Sequence, residues 1–220
     1  MRYLKQIIII ILSMLSGGII LSCNTTAVKP TSEISTKNQA IDTIIRDIPL
    51  YIQEHGFKKV FKGFHDGLGL TSLADGSNGI EIRLWYTHDK TDTVQLLVIE
   101  NTTSKWSAKL FTVIYKMNRA NDSLLSLNKT IIKVEPKFGW DVLVDSLFKF
   151  NIDSLPDYTK LSGYKQNMGG DGVLVEFADT KRYKIFSYPE PDFNKDVLTE
   201  AKMITRILKL IEDHMQFKWL

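Results

Sequence analysis

His65 and Asp66 sit side by side in a glycine-rich stretch, and Asp171 lies in a second glycine turn, Met168-Gly169-Gly170-Asp171-Gly172. Imidazole and carboxyl side chains on loops held by a scaffold are the usual material of acid–base or metal chemistry, so these three are the catalytic candidates of the chain. The same residues also have a plainer use. Asp-Gly is common turn chemistry, because glycine accepts positive φ and aspartate bonds its own backbone.

Other chemistries find less support. The histidines His55, His65, His88 and His214 make no i,i+4 pair and have no cysteine partners, so zinc-type spacing is missing and no metal or cofactor is expected. Asp75 to Gly79 begins like a calcium loop, but Ile80 stands where the sharp turn demands glycine. Ser126 and Lys129 have the Ser-x-x-Lys spacing of penicillin-interacting enzymes, yet the serine falls in a predicted strand and neither SDN nor KTG is present. No Gly-x-Ser-x-Gly elbow and no phosphate-cradling glycine loop occurs. Trp85, Trp106, Trp140 and Trp219, with eight tyrosines, are candidates either for a sugar or peptide groove or, as most such rings are, for the core.

The elements that must position these residues follow from periodicity. Ile41, Ile44, Ile45, Ile48 and Ile52 share one face at helical spacing, which predicts a helix from about Asn38, broken near Ile48 by Pro49. The stretch from Gly56 to Gly79 contains six glycines and reads as irregular, with a short strand over Lys58 to Phe64. Four strands are predicted at Ile80–Thr87, Val94–Asn101, Trp106–Met117 and Leu124–Glu135. Their connectors are too short for parallel crossovers, so they should form an antiparallel meander. Ile80, Ile82, Leu84 and Tyr86 would face the core, with Glu81, Arg83, Trp85 and Thr87 opposite. Trp106 to Met117 is apolar on both faces and should be covered on both.

A helix over Trp140 to Phe150, a loop over Ser154 to Gly169 and a hairpin of Val173–Phe177 with Tyr183–Tyr188 come next. The last helix carries Val197, Ala201, Ile204, Leu208, Ile211 and Met215 in one stripe, with Asn194 or Asp192 as its cap. The sum is an α+β domain over residues 40–220, an antiparallel sheet of about six to seven strands with N-terminal, middle and C-terminal helices packed on it.

The opening residues specify location. Arg2 and Lys5 precede an apolar run that reaches Leu21, the layout of a secretory signal. Serines and the Gly17–Gly18 pair interrupt it, and it falls short of the about twenty apolar residues a bilayer span needs. Ile20-Leu21-Ser22-Cys23 resembles the lipobox of bacterial lipoproteins, a resemblance confined to residues 1–23. It implies cleavage before Cys23 and lipid on its sulfur and amine, hence a membrane partner. Several acyl chains make a firm anchor where one, at about 0.8 kcal/mol per buried methylene, is marginal. Five Asp-Ser/Thr-apolar triplets, beginning at Asp42, Asp92, Asp122, Asp145 and Asp153, resemble the O-glycosylation sequon of Bacteroidetes.

Asn24 to Gln39 is almost free of apolar residues and reads as a flexible tether over 23–39. Cys23 is the only cysteine, so the mature domain must rest on its core rather than on a disulfide. With 28 Lys and Arg against 25 Asp and Glu, and its longest cationic cluster only Lys58, Lys59 and Lys62, the chain lacks a nucleic-acid footprint. In the sorting rule of enteric lipoproteins an aspartate after the lipidated cysteine retains a protein at the inner membrane. Asn24 therefore implies the outer membrane, and the lack of a following acidic cluster implies the periplasmic side. The expectation is a non-enzymatic binding or assembly module with an envelope protein or glycan partner, the alternative being an envelope enzyme using His65, Asp66 and Asp171.

Overall fold

The computed structural model describes residues 44–88, 91–102, 105–118, 120–121, 123–166 and 170–220. Cys23, the leader and the tether lie outside the described residues. Seven strands form one sheet: β1 (Ile45–Asp47), β2 (Ile80–Thr87), β3 (Thr93–Thr102), β4 (Lys105–Asn118), β5 (Ser123–Val134), β6 (Gly172–Ala178) and β7 (Arg182–Pro189). Their order is β1-β7-β6-β2-β3-β4-β5. The helices are α1 (Leu50–Gln53), α2 (His55–Leu68), α3 (Trp140–Lys149), α4 (Pro191–Asn194) and α5 (Thr199–Met215), with a 3-10 turn at Tyr158–Lys160. The class is α+β.

The meander and the hairpin form where periodicity puts them. β2 to β5 pair antiparallel in succession, and β6 pairs antiparallel with both β7 and β2. The sheet as a whole is mixed, because β1 lies parallel to β7, with Ile45 opposite Arg182. This corrects the predicted N-terminal helix in its described part. Isoleucine pairs suit strands as well as helices, and Pro49 confines what helix there is to the four residues that follow it. Polar side chains then secure β1. Arg46 donates to the Ala74 carbonyl at 2.7 Å and pairs with Asp75, while Asp47 pairs with Lys160 and Lys184.

The larger correction is α2, fourteen helical residues where glycines suggested a loop and a strand. Val60, Phe64 and Leu68 recur every four residues and are buried, so one face of the segment is apolar at helical spacing. Its glycines serve contact rather than breakage. Cβ atoms at Gly63 and Gly67 would meet Leu124 at 3.5 Å and Leu127 at 3.1 Å, which lets the helix lie close against β5. Gly69, at φ 73°, ends the helix in the left-handed region, and the Lys129 ammonium donates to the Gly67 and Leu68 carbonyls. At Gly63 the contact is ordinary and the backbone helical. Gly63→Ala should therefore stabilise the protein by about 0.5–1 kcal/mol in urea unfolding, whereas a loop would show no such gain.

Helices cover both faces. Ile82, Leu84, Leu97, Leu110, Val175 and Phe186 pack against Leu143 and Leu147 of α3 and Ile204, Ile207 and Ile211 of α5. On the other face Leu96, Val98, Phe111 and Val113 meet α2, and Tyr183, Ile185 and Ala178 meet α1. β4 contributes to both cores as its sequence predicts, although Ile114 is 57% exposed. The face of β2 bearing Arg83 and Trp85 is buried too. Within α5 Ile207 joins the buried stripe, and Val197 precedes the helix, exposed. No side chain caps α5. Asn194 is instead fully buried, holding the backbone N–H and C=O of Lys165, and Asp192 pairs with Lys195.

Candidate functional site

The three residues marked by sequence do not converge. Asp66 lies on the exposed side of α2, paired with Lys62 one turn earlier. His65 turns inward, its ring stacked on Trp85 at 5.6 Å. Asp171 belongs to the opposite face, where one carboxylate oxygen accepts from the Tyr86 hydroxyl and the other pairs with His88 Nδ1. Successive strand residues point to opposite faces, so Trp85 and Tyr86 divide His65 from Asp171. His88 is the partner that sequence did not supply. The register Thr87↔Gly172 brings the next residues, His88 and Asp171, together at the mouth of the β2–β6 pair.

His65 instead joins a buried charged cluster. Arg83 of β2 and Glu176 of β6 are cross-strand partners, and both are essentially inaccessible. Glu176 accepts from Trp85 Nε1 at 2.9 Å and from the Tyr183 hydroxyl at 3.0 Å. His65 Nε2 stands 3.4 Å away and Arg83 Nη1 3.9 Å, the guanidinium close enough for charge pairing. Arg83 spends its remaining donors on Glu81 and on the Thr71 carbonyl. Burial alone would raise the Glu176 carboxyl, but His65, Arg83 and the Trp85 N–H outweigh it and hold the group below the ordinary carboxylate range. Opposite charges inside two apolar strands, Ile-Glu-Ile-Arg-Leu-Trp and Val-Leu-Val-Glu-Phe, are the sequence signal for this cluster.

The cluster secures one wall of an open cavity of about 120 Å³ between α1, α2 and the sheet. Phe57, Val60, Phe61 and Phe64 of α2 roof it, and Trp85, Val94, Val173 and Leu174 form its floor. Glu176 fixes the Trp85 indole through its N–H. The polar residues at the lining are Tyr51, Thr87 and Ser187. Behind them Asp157, 1% exposed, accepts from the Tyr51 hydroxyl at 2.8 Å, the Ser187 amide at 2.9 Å, and the Thr159 amide and hydroxyl. Burial pushes the Tyr51 phenol far up, with Asp157 adding to the effect, so it stays protonated.

A second cleft, of about 430 Å³, opens on the other face beside Tyr86, Asp171, Asp192, Glu212 and Trp219. Its carboxylates are engaged within the chain. Asp171 holds Tyr86 and His88, Asp192 holds Lys195, and Glu212 holds Lys209, Lys218 and the Trp219 amide. Burial and Asp171 together push the Tyr86 phenol up. The four tryptophans are dispersed: Trp85 in the cavity, Trp219 stacked on Tyr86 in the cleft, Trp106 against Trp140.

Ser126 lies on β5, and Lys129 is occupied at the end of α2. Among the described residues no group of three or more His, Cys, Asp or Glu could hold a metal ion, and no helix is long and apolar enough to cross a membrane. No family model matches the sequence, and no curated protein matches it.

Proposed function

We propose that the chain is a lipid-anchored protein of the bacterial envelope that works as a non-enzymatic binding module. Acylated Cys23 would attach it to the outer membrane on the periplasmic side, and residues 23–39 would let the domain stand about 20 Å off the surface. The observation that carries the binding role is the open, aromatic-roofed cavity beneath α2, whose wall is braced by a buried ion cluster. An apolar pocket with a few polar groups at its lining is where a small ligand is most readily held. An enzyme would need its acid, base and nucleophile within reach of one substrate, and His65 and Asp171 serve different faces.

The two halves of the proposal separate experimentally. Radiolabelled palmitate should label the wild-type protein in cells and not Cys23→Ala, which should accumulate as precursor or be released; unchanged labelling of the variant would refute the anchor. For the binding half, toluene added to the detergent-solubilised full chain should shift the Trp85 indole N–H resonance. The absence of any shift at millimolar free toluene would remove the cavity as a binding site.

A further inference from the structure

We infer that the cavity under α2 selects a small ligand with a single aromatic ring that carries a hydrogen-bond donor, a phenol or a ring N–H. This rests on the binding role just proposed and specifies the ligand's chemistry. Size sets the first limit. A cavity of about 120 Å³ accommodates one ring, since a cavity of about 150 Å³ lined by Leu, Ile and Phe binds benzene. Shape sets the second. Phe61 and Trp85 lie 5.4 Å apart and Phe64 meets Trp85 edge-on at 6.1 Å, presenting both faces and edges to an inserted ring.

Proton accounting sets the third. Four donors converge on the two Asp157 oxygens and fill the acceptor capacity of a carboxylate. The single Tyr51 hydroxyl proton is therefore committed to Asp157. In the 2.7 Å contact between Tyr51 and Ser187, the serine must be the donor. Thr87 likewise donates its proton to the Gly172 carbonyl at 3.2 Å. All three hydroxyl hydrogens at the cavity are thus spent inside the protein, and what they offer a ligand is lone pairs. A ligand that brings a donor gains a bond to Ser187 Oγ. A ligand that brings only an acceptor must break the Ser187–Tyr51 contact or leave its own oxygen unpaired.

The occupant is a free small molecule, because the cavity has room for one ring and has no charged residue at its lining to steer a polypeptide. Phenol, toluene, anisole and N-acetyltyrosinamide make a discriminating set, titrated into the detergent-solubilised full chain with free concentrations fixed by equilibrium dialysis and the Trp85 indole resonance as readout. Phenol should bind about fivefold tighter than toluene, and anisole no tighter than toluene. Ser187→Ala should abolish the difference between phenol and toluene. Equal affinities for phenol, toluene and anisole, or anisole the tightest, would overturn the donor requirement while leaving the binding role standing. N-acetyltyrosinamide binding tighter than phenol would make the occupant a protein side chain and overturn the free ligand. Failure of all four to bind defeats the binding role itself. The wild-type comparison needs no variant, so a poorly folded Ser187→Ala does not rescue the idea.

Discussion

Glu176→Ala should lower the unfolding free energy by about 4 kcal/mol, a large part of the roughly 5–15 kcal/mol that holds a typical domain together. The substitution removes the acceptor of Trp85 and Tyr183 and strips one partner from Arg83, which cannot reach water from its place on β2. The loss comes from stranded charge rather than from missing attraction, and a second variant separates the two. Replacing both partners, as in Arg83→Met with Glu176→Leu, should recover at least half of the loss, since apolar pairs often match buried ion pairs in stability. A urea-unfolding difference under about 1 kcal/mol for Glu176→Ala would show that the cluster is solvated. The same group sets an acid limit. The folded Glu176 titrates below the free side chain, so as the pH falls the unfolded chain binds the proton first. Stability is full above the free glutamate range, near 4.3, and is lost as the pH drops from there through the folded pKa. Asp47 and Asp179, lowered by their lysine and arginine partners against the raising effect of burial, add to the same slope. Glu176→Gln should make that acid slope shallower.

Asp157→Ala should cost about 3 kcal/mol. Two backbone N–H groups, of Ser187 and Thr159, lose their acceptor, and so does the buried Tyr51 hydroxyl. Each unpaired buried donor carries a penalty of about 1–3 kcal/mol, partly relieved where water can enter beside the cavity. Asp157→Asn keeps one acceptor oxygen and should lose about half as much. Thermal unfolding of the two variants would decide the point, and equal stability of Asp157→Ala and wild type would mean that Asp157 does not organise the loop.

How much of this was legible in the chain follows from where each signal resides. The β2 to β5 meander, the hairpin, α3 and α5 announce themselves through alternation or four-residue spacing that persists over several turns. α2 did not, because glycine is a weak helix former and its value here lies in the approach to Leu124 and Leu127, which are distant in sequence. β1 was obscured for a related reason: three residues are too few for a period, and the partner strand is at the far end of the chain. The charged cluster was visible as Arg83 and Glu176 set in apolar strands, but alternation alone placed Arg83 on a wet face, and only the helix above makes it buried. Of the residues singled out for chemistry, His65 and Asp171 do meet partners, each on its own side of the sheet. The register that unites Asp171 with His88 cannot be deduced from either turn by itself. Tyr51, Asp157 and Ser187 come from three separated segments, and only tertiary structure assembles them.

The parallel strand β1 also bears on how such a chain is made. Ile45 to Asp47 pair with Arg182 to Lys184, so the first of the described strands to be synthesised has no partner until nearly the last has been produced. Closing so long a loop is entropically slow, and contacts of this kind form late. A sheet that cannot be completed from its leading end leaves its parallel edge among the last contacts to form, so β1 should be the first part of the sheet to exchange its amide hydrogens and the last to regain protection on refolding.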